Sequence, residues 1–89
     1  MIKVSNMEND NGRAIPNQFI IEADNGDLLF QSYNTIIARK NYGKVMLDRE
    51  KWDYSKTTGK YRNLFLGEKK AETEKKIKSG EYTLADLNA

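Results

Sequence analysis

The apolar positions of this chain concentrate between Asn17 and Gly67, and their period changes along the way. Up to Leu47 they come in short runs broken by turn residues. From Tyr61 they fall at helical spacing. The first run predicts a strand over Gln18–Ala23, with Phe19, Ile21 and Ala23 on one face and Ile20 and Glu22 on the other. Asp24-Asn25-Gly26-Asp27 is a hairpin signal, because Asn-Gly supplies the positive φ angles of a tight turn. Leu28–Tyr33 follows as a second strand. Thr35–Arg39, β-branched at three successive positions, is a third. Asn41-Tyr42-Gly43 turns the chain into a fourth strand, Lys44–Leu47. Turns at this spacing predict a sequential antiparallel meander.

Beyond the connector Asp48–Tyr54 the pattern becomes helical. Ser55 or Thr57 offers a side-chain oxygen to the orphan N–H groups of a first turn. Tyr61, Leu64 and Phe65 form an apolar stripe, and Gly67 suits the left-handed position after the last turn. Gly59 costs this helix about 1 kcal/mol relative to alanine. A second helix, Lys70–Ser79, is held by Glu72–Lys76 and Glu74–Lys78 pairs and shows only Ala71, Ile77 and the Thr73 methyl as an apolar face. Gly80 ends it. In the tail, Tyr82, Leu84 and Leu87 are anchors expected to dock on the core.

Ahead of the meander, Ile2 and Val4 alternate briefly. The polar run Ser5–Arg13 then reads as loop without fixed structure, and Pro16 restricts Ile15 to extended conformations. The expected architecture is one α+β domain over residues 1–89: a flexible segment 1–16, a meander 17–47, a helical part 55–79 and a tail 80–89. A three- to four-stranded antiparallel sheet packs against one or two C-terminal helices. The expected core is Phe19, Ile21, Leu28, Phe30, Ile37, Val45, Leu47, Trp52, Tyr61, Leu64, Phe65 and Leu84.

Composition narrows the chemistry. With 89 residues, 38% apolar and 31% charged, the chain supports one thin core, so a partner or a second copy would add useful stability. Cysteine is absent, which removes disulfides and thiolate metal sites. Histidine is absent too, which removes the commonest general base and transition-metal ligand. No apolar run is long enough for a membrane span, and the N-terminus has no signal-peptide core. A cytoplasmic protein is expected, with no cofactor.

The net charge of +2 conceals an asymmetry. Residues 1–38 sum to −3, residues 39–62 to +5 and residues 63–89 to zero. The middle third is therefore the basic surface. Within it, Arg49–Lys56 and Lys60-Tyr61-Arg62 interleave cations with aromatic rings, a pattern that fits phosphate contact and base stacking and also the anchors of protein interfaces. The alternative is that Trp52, Tyr54 and Tyr61 seal the sheet–helix junction while the lysines snorkel outward. Tyr42, at a turn tip, is a candidate recognition aromatic. Asp24/Asp27 and Asp48/Glu50/Asp53 offer oxygen ligands, but neither matches a calcium-loop spacing, and turn chemistry explains the first pair. No nucleophile–base pair or phosphate loop is present, so catalytic, cofactor and metal residues are expected to be none.

The residues Asn17-Gln18-Phe19, Gly26, Phe30-Gln31-Ser32-Tyr33 and Ile36-Ile37-Ala38, followed by Val45–Asp48, carry a resemblance. Trp52-Asp53-Tyr54-Ser55, Thr57-Thr58, Lys60-Tyr61 and Phe65-Leu66-Gly67 are its most specific block, and Glu74–Lys78, Gly80, Tyr82 and Leu87-Asn88 complete it. Over about residues 14–88 the chain resembles a family of small proteins of no established activity encoded by bacteriophages and mobile elements. That resemblance carries over no site residue. It implies an accessory protein that binds a host machine, by association rather than by chemistry. The expected function is a non-enzymatic, stoichiometric inhibitor of a host defence effector, most concretely an anti-CRISPR protein acting in the bacterial host cytoplasm. Its partner would be a host protein or ribonucleoprotein. The partner-binding surface would be Tyr42, Arg49, Lys51, Lys56, Lys60 and Arg62. The alternative is a small nucleic-acid-binding module using the same basic–aromatic stretch, 39–62. Short edge strands also admit a homodimer.

Overall fold

A computed structural model describes residues 2–88. It contains six strands: β1 (Lys3–Glu8), β2 (Ala14–Glu22), β3 (Leu28–Ser32), β4 (Thr35–Asn41), β5 (Lys44–Asp48) and β6 (Tyr82–Ala85). Two helices, α1 (Lys56–Leu66) and α2 (Lys70–Ser79), lie between β5 and β6. The fold is α+β, as the sequence pattern implied. The strands follow chain order in one sheet, antiparallel except that β6 runs parallel to β5.

Two strands were not expected. β1 arises from the polar run read as loop. Its own sequence buries little, but pairing with β2 sets Val4 against Ile21 and Asn6 against Phe19. Asn9 closes the hairpin by accepting the backbone N–H groups of Asn11 and Arg13 on its side chain. β6 is the docked tail. Its parallel pairing became available only because two helices return the chain to the start of β5.

Register decides which residues are covered. Pairing aligns Ser5, Ile20, Phe30, Ala38, Leu47 and Leu84 in one row across all six strands. A second row on the same face is Lys3, Glu22, Leu28, Lys40, Val45 and Tyr82. The helices cover this face. Phe65 of α1 stacks on Phe30 with ring centroids 5.8 Å apart, and Ile77 of α2 joins the same cluster. Ile20 therefore faces the core, while Phe19 and Ile21, expected inside, lie on the opposite face. A one-residue change of register exchanges the faces of a strand, and periodicity within Phe19-Ile20-Ile21 carries no information about which is chosen. A bulge in β4 opposite Phe30 turns both Ile37 and Ala38 inward, and both are fully buried.

Helix α1 begins and ends as expected. The Ser55 side chain accepts the Thr58 N–H, and Gly67 takes φ 70° beyond the last turn. Its phase differs. Thr58, Gly59 and Arg62 are buried, whereas Leu64 is 56% exposed and leaves the expected core. The helix turns this polar stripe inward because both Arg62 Nη atoms find acceptors there and Thr58 lies 3.4 Å from the Ser32 hydroxyl. Trp52, Tyr61 and Leu84 are half-buried against the core.

Candidate functional site

The six residues expected to bind a partner do not form one patch. Tyr42 stands at the β4–β5 turn, 88% exposed with φ 48°, a backbone conformation that bulky residues avoid. Its ring rests on the neighbouring β2–β3 turn: a Cβ on Gly26 would sit 3.0 Å from the Tyr42 hydroxyl. Arg49 and Lys51 lie past the other end of β5, which at about 3.3 Å per residue is roughly 16 Å away.

Arg62 is not a surface cation. Its side chain is 1% exposed. Nη1 donates to the Trp52 carbonyl at 2.7 Å and to Asp53 Oδ1 at 3.0 Å, and Nη2 donates to Asn63 Oδ1 at 3.0 Å. The guanidinium also lies 5.0 Å from the Trp52 ring centroid. It clamps the β5–α1 connector to the helix, and no partner reaches it without breaking those bonds. Sequence reasoning missed this because a Lys-Tyr-Arg triplet looks the same whether its arginine points out or in.

Four of the expected or adjacent residues do come together. The connector and the first turns of α1 bring Tyr54, Lys56 and Lys60 to one groove of about 500 Å³, with Lys70 across it. Tyr54 is 46% exposed. Lys51 approaches its ring at 5.3 Å, and Lys60 approaches Tyr61 at the same distance. On the other side of the connector, Arg49 and Lys51 border a second groove of about 470 Å³ with Asn34, Asp86 and Asn88. One end of the molecule thus offers cations beside an exposed tyrosine.

The carboxylates have a different role. Burial works to raise the pKa of Asp48, but donations from the Leu87, Lys51 and Glu50 backbones and the Asn88 side chain outweigh it and leave the group below its ordinary value. Asp53 is likewise raised by burial but lowered on balance by Lys70 and Arg62. Asp27 is lowered on balance by Asn41, Arg39 and Asn25; Arg39 Nη2 is 2.5 Å from its Oδ2. Glu68, its side chain 4% exposed, accepts from Thr73 at 2.6 Å, Tyr82 at 2.7 Å and Lys76 at 2.8 Å, which outweighs burial and lowers its pKa. All four are biased toward the ionised form, the reverse of what a general acid requires. Among the described residues no cluster of three or more acidic side chains is arranged to hold a metal ion, and no helix is long and apolar enough to cross a membrane.

A further surface went unrecognised in the sequence. The uncovered face of the sheet carries the row Val4, Ile21, Leu29, Arg39, Met46 and Thr83, flanked by Phe19 and Gln31. The signal was present. Phe19-Ile20-Ile21 and Leu28-Leu29-Phe30 are apolar at consecutive positions, and consecutive strand residues face opposite ways. Such runs place apolar side chains on both faces whatever the register.

A family model described as "Family of unknown function (DUF8033)" matches residues 2–81, and the chain belongs to that family. No curated protein and no solved structure gives a significant match.

Proposed function

We propose that this member of the DUF8033 family acts by stoichiometric binding, as an accessory inhibitor that a bacteriophage or mobile element directs against a host defence effector, most concretely a CRISPR–Cas complex. The observation that carries the reading is the basic, aromatic end of the molecule, where Lys51, Lys56 and Lys60 surround the exposed Tyr54. Cations beside an aromatic platform suit a partner that itself handles nucleic acid, either by meeting acidic residues of the effector or by occupying its strand channel. The ionised, internally bonded carboxylates support binding over acid–base chemistry.

The experiment is capture of partners from host lysate on the tagged chain, with and without nuclease, followed by mass spectrometry. A defined protein retained after nuclease is the expected result. Reversing the charge of Arg49, Lys51, Lys56 and Lys60 together should release it. Retention by that variant would place the contact elsewhere. The groove between Lys56, Lys60 and Lys70 also favours a second reading, direct binding of a nucleic-acid strand. In that case the capture vanishes with nuclease, and oligonucleotide affinity falls steeply with salt.

A further inference from the structure

The β1 edge is the part of the fold with the least protection. Among the described residues β1 pairs only with β2, so along Lys3–Glu8 one side of its backbone has no strand beside it. Edges are normally blunted by proline, by charged side chains, by bulges or by a covering segment. β1 carries Lys3 at one end and an irregularity before Glu8 at the other, which leaves Val4–Asn6 as its unguarded stretch. β1 contains no proline, and its residues other than Met7 are exposed. Val4, at 59%, and Ile2 just ahead of the strand, at 62%, are large exposed apolar side chains at this edge. The opposite edge, β6, is only four residues long and is packed against α2.

We propose that the β1 edge binds a second copy of this chain, antiparallel and about a twofold axis through Val4, joining two six-stranded sheets into one of twelve. A twofold axis perpendicular to the sheet keeps each face on its own side, so a residue must pair with one that faces the same way. Val4 on the axis satisfies this, with Lys3 opposite the partner's Ser5 and Ile2 opposite the partner's Asn6. The pairing then ends at Asn6, ahead of the irregularity between Asn6 and Glu8. Val4 packs on its symmetry mate, and the apolar positions Leu29–Ile21–Val4 of the open face continue into the second molecule.

Charge favours the antiparallel sense. Lys3 and Glu8 are the charged residues of β1 and sit at opposite ends. The antiparallel register sets Lys3 opposite the uncharged Ser5 of the second copy, whereas parallel pairing in register would set Lys3 directly against Lys3. Glu22, which pairs with Lys3 across β1–β2, further offsets the two lysines near the axis. An edge contact of this length is smaller than the ~1,200 Å² that stable complexes bury, so the dimer is a weak one that forms as protein concentration rises.

The test combines sedimentation with a single-cysteine probe, since the chain has no cysteine of its own. The unmodified chain is expected to shift from monomer to dimer between about 1 µM and 1 mM. Val4→Asp should abolish the shift, and Leu29→Asp, away from the edge, should preserve it. Under mild oxidation Val4→Cys should cross-link at least tenfold faster than Tyr42→Cys, which is more exposed but distant. A monomer at every concentration overturns the proposal. So does a dimer that survives Val4→Asp and is lost with Leu29→Asp, which would mean face-to-face packing. Equal cross-linking of the two cysteine variants overturns it as well.

Discussion

The two faces of the sheet invert the usual distribution. The covered face meets the helices through Phe30, Ala38, Leu47 and Val45, yet it also encloses Gln18, Ser32, Thr58, Arg62 and Thr73 as fully buried polar side chains. The open face, with no helix against it, displays Val4, Phe19, Ile21, Leu29 and Met46. A thin two-layer domain has too few apolar residues to fill the interlayer space with hydrocarbon alone. It closes the remaining gaps with polar side chains that are mostly bonded inside: Glu68 accepts three hydrogen bonds and the two Arg62 Nη atoms donate three, while Arg62 Nε and Gln18 Oε1 are buried without a partner among the described residues. The lesson is that burial here follows geometry and hydrogen-bond satisfaction, while the apolar residues left outside are set by the strand alternation.

The comparison predicts that a polar substitution inside costs more than an apolar one outside. Arg62→Ala should show the largest effect, a loss of about 3 kcal/mol in chemical denaturation, because the Asp53 carboxylate and the Trp52 carbonyl lose their buried donor. Glu68→Ala should cost about 2 kcal/mol by leaving Thr73, Lys76 and Tyr82 without their common acceptor. Leu29→Gln should cost under about 1 kcal/mol, since its side chain has no opposing layer. If Leu29→Gln proved as damaging as Arg62→Ala at low protein concentration, the open face would be covered in solution and the comparison would fail.

Two smaller effects sharpen it. Asp27, Asp48, Asp53 and Glu68 all have folded-state pKa values below their ordinary ones. Each contributes stability that is present above the unfolded value and is lost as pH falls through the folded value. Thermal stability should therefore decline below about pH 4, with a shallower decline in Glu68→Gln than in the parent chain. At the alkaline end, the Lys76 pKa is raised chiefly by its bond to Glu68. Its contribution is complete below the ordinary value of 10.5 and fades as pH climbs beyond it. Finally, a Cβ at Gly59 would meet the Arg62 guanidinium and Asp53 at 3.7 Å, ordinary contact distance. Gly59→Ala should then stabilise α1 by roughly 0.5–1 kcal/mol, and a loss instead would show that the clamp beside it tolerates no added atom.

Much of the architecture was legible. Asn25-Gly26 and Tyr42-Gly43 marked hairpins, Ser55 and Gly67 bounded α1, and Gly80 closed α2. These are local signals, in which a residue's own conformational preference or side-chain oxygen determines the backbone next to it. The candidate site was legible only in part. Tyr54, Lys56 and Lys60 are close in sequence and stay close in space. Tyr42 separates from Arg49 and Lys51 because an intervening strand is extended, and Arg62 disappears inward because the helix phase follows its acceptors.

The sequence by itself determined the four central strands, the two helices and their order, since turn residues, caps and periodicity act within a few positions of one another. It also determined that both faces of the sheet would be apolar, through the consecutive runs of β2 and β3. Only the tertiary structure decided which face the helices cover, that polar Lys3–Glu8 and the tail Tyr82–Ala85 become strands, and that Arg62 is structural. The reason is physical. Each of these outcomes depends on a partner distant in sequence, such as Phe19 and Ile21 for β1, β5 for the tail, or Trp52 and Asp53 for the guanidinium. No residue's own chemistry specifies which distant neighbour it meets.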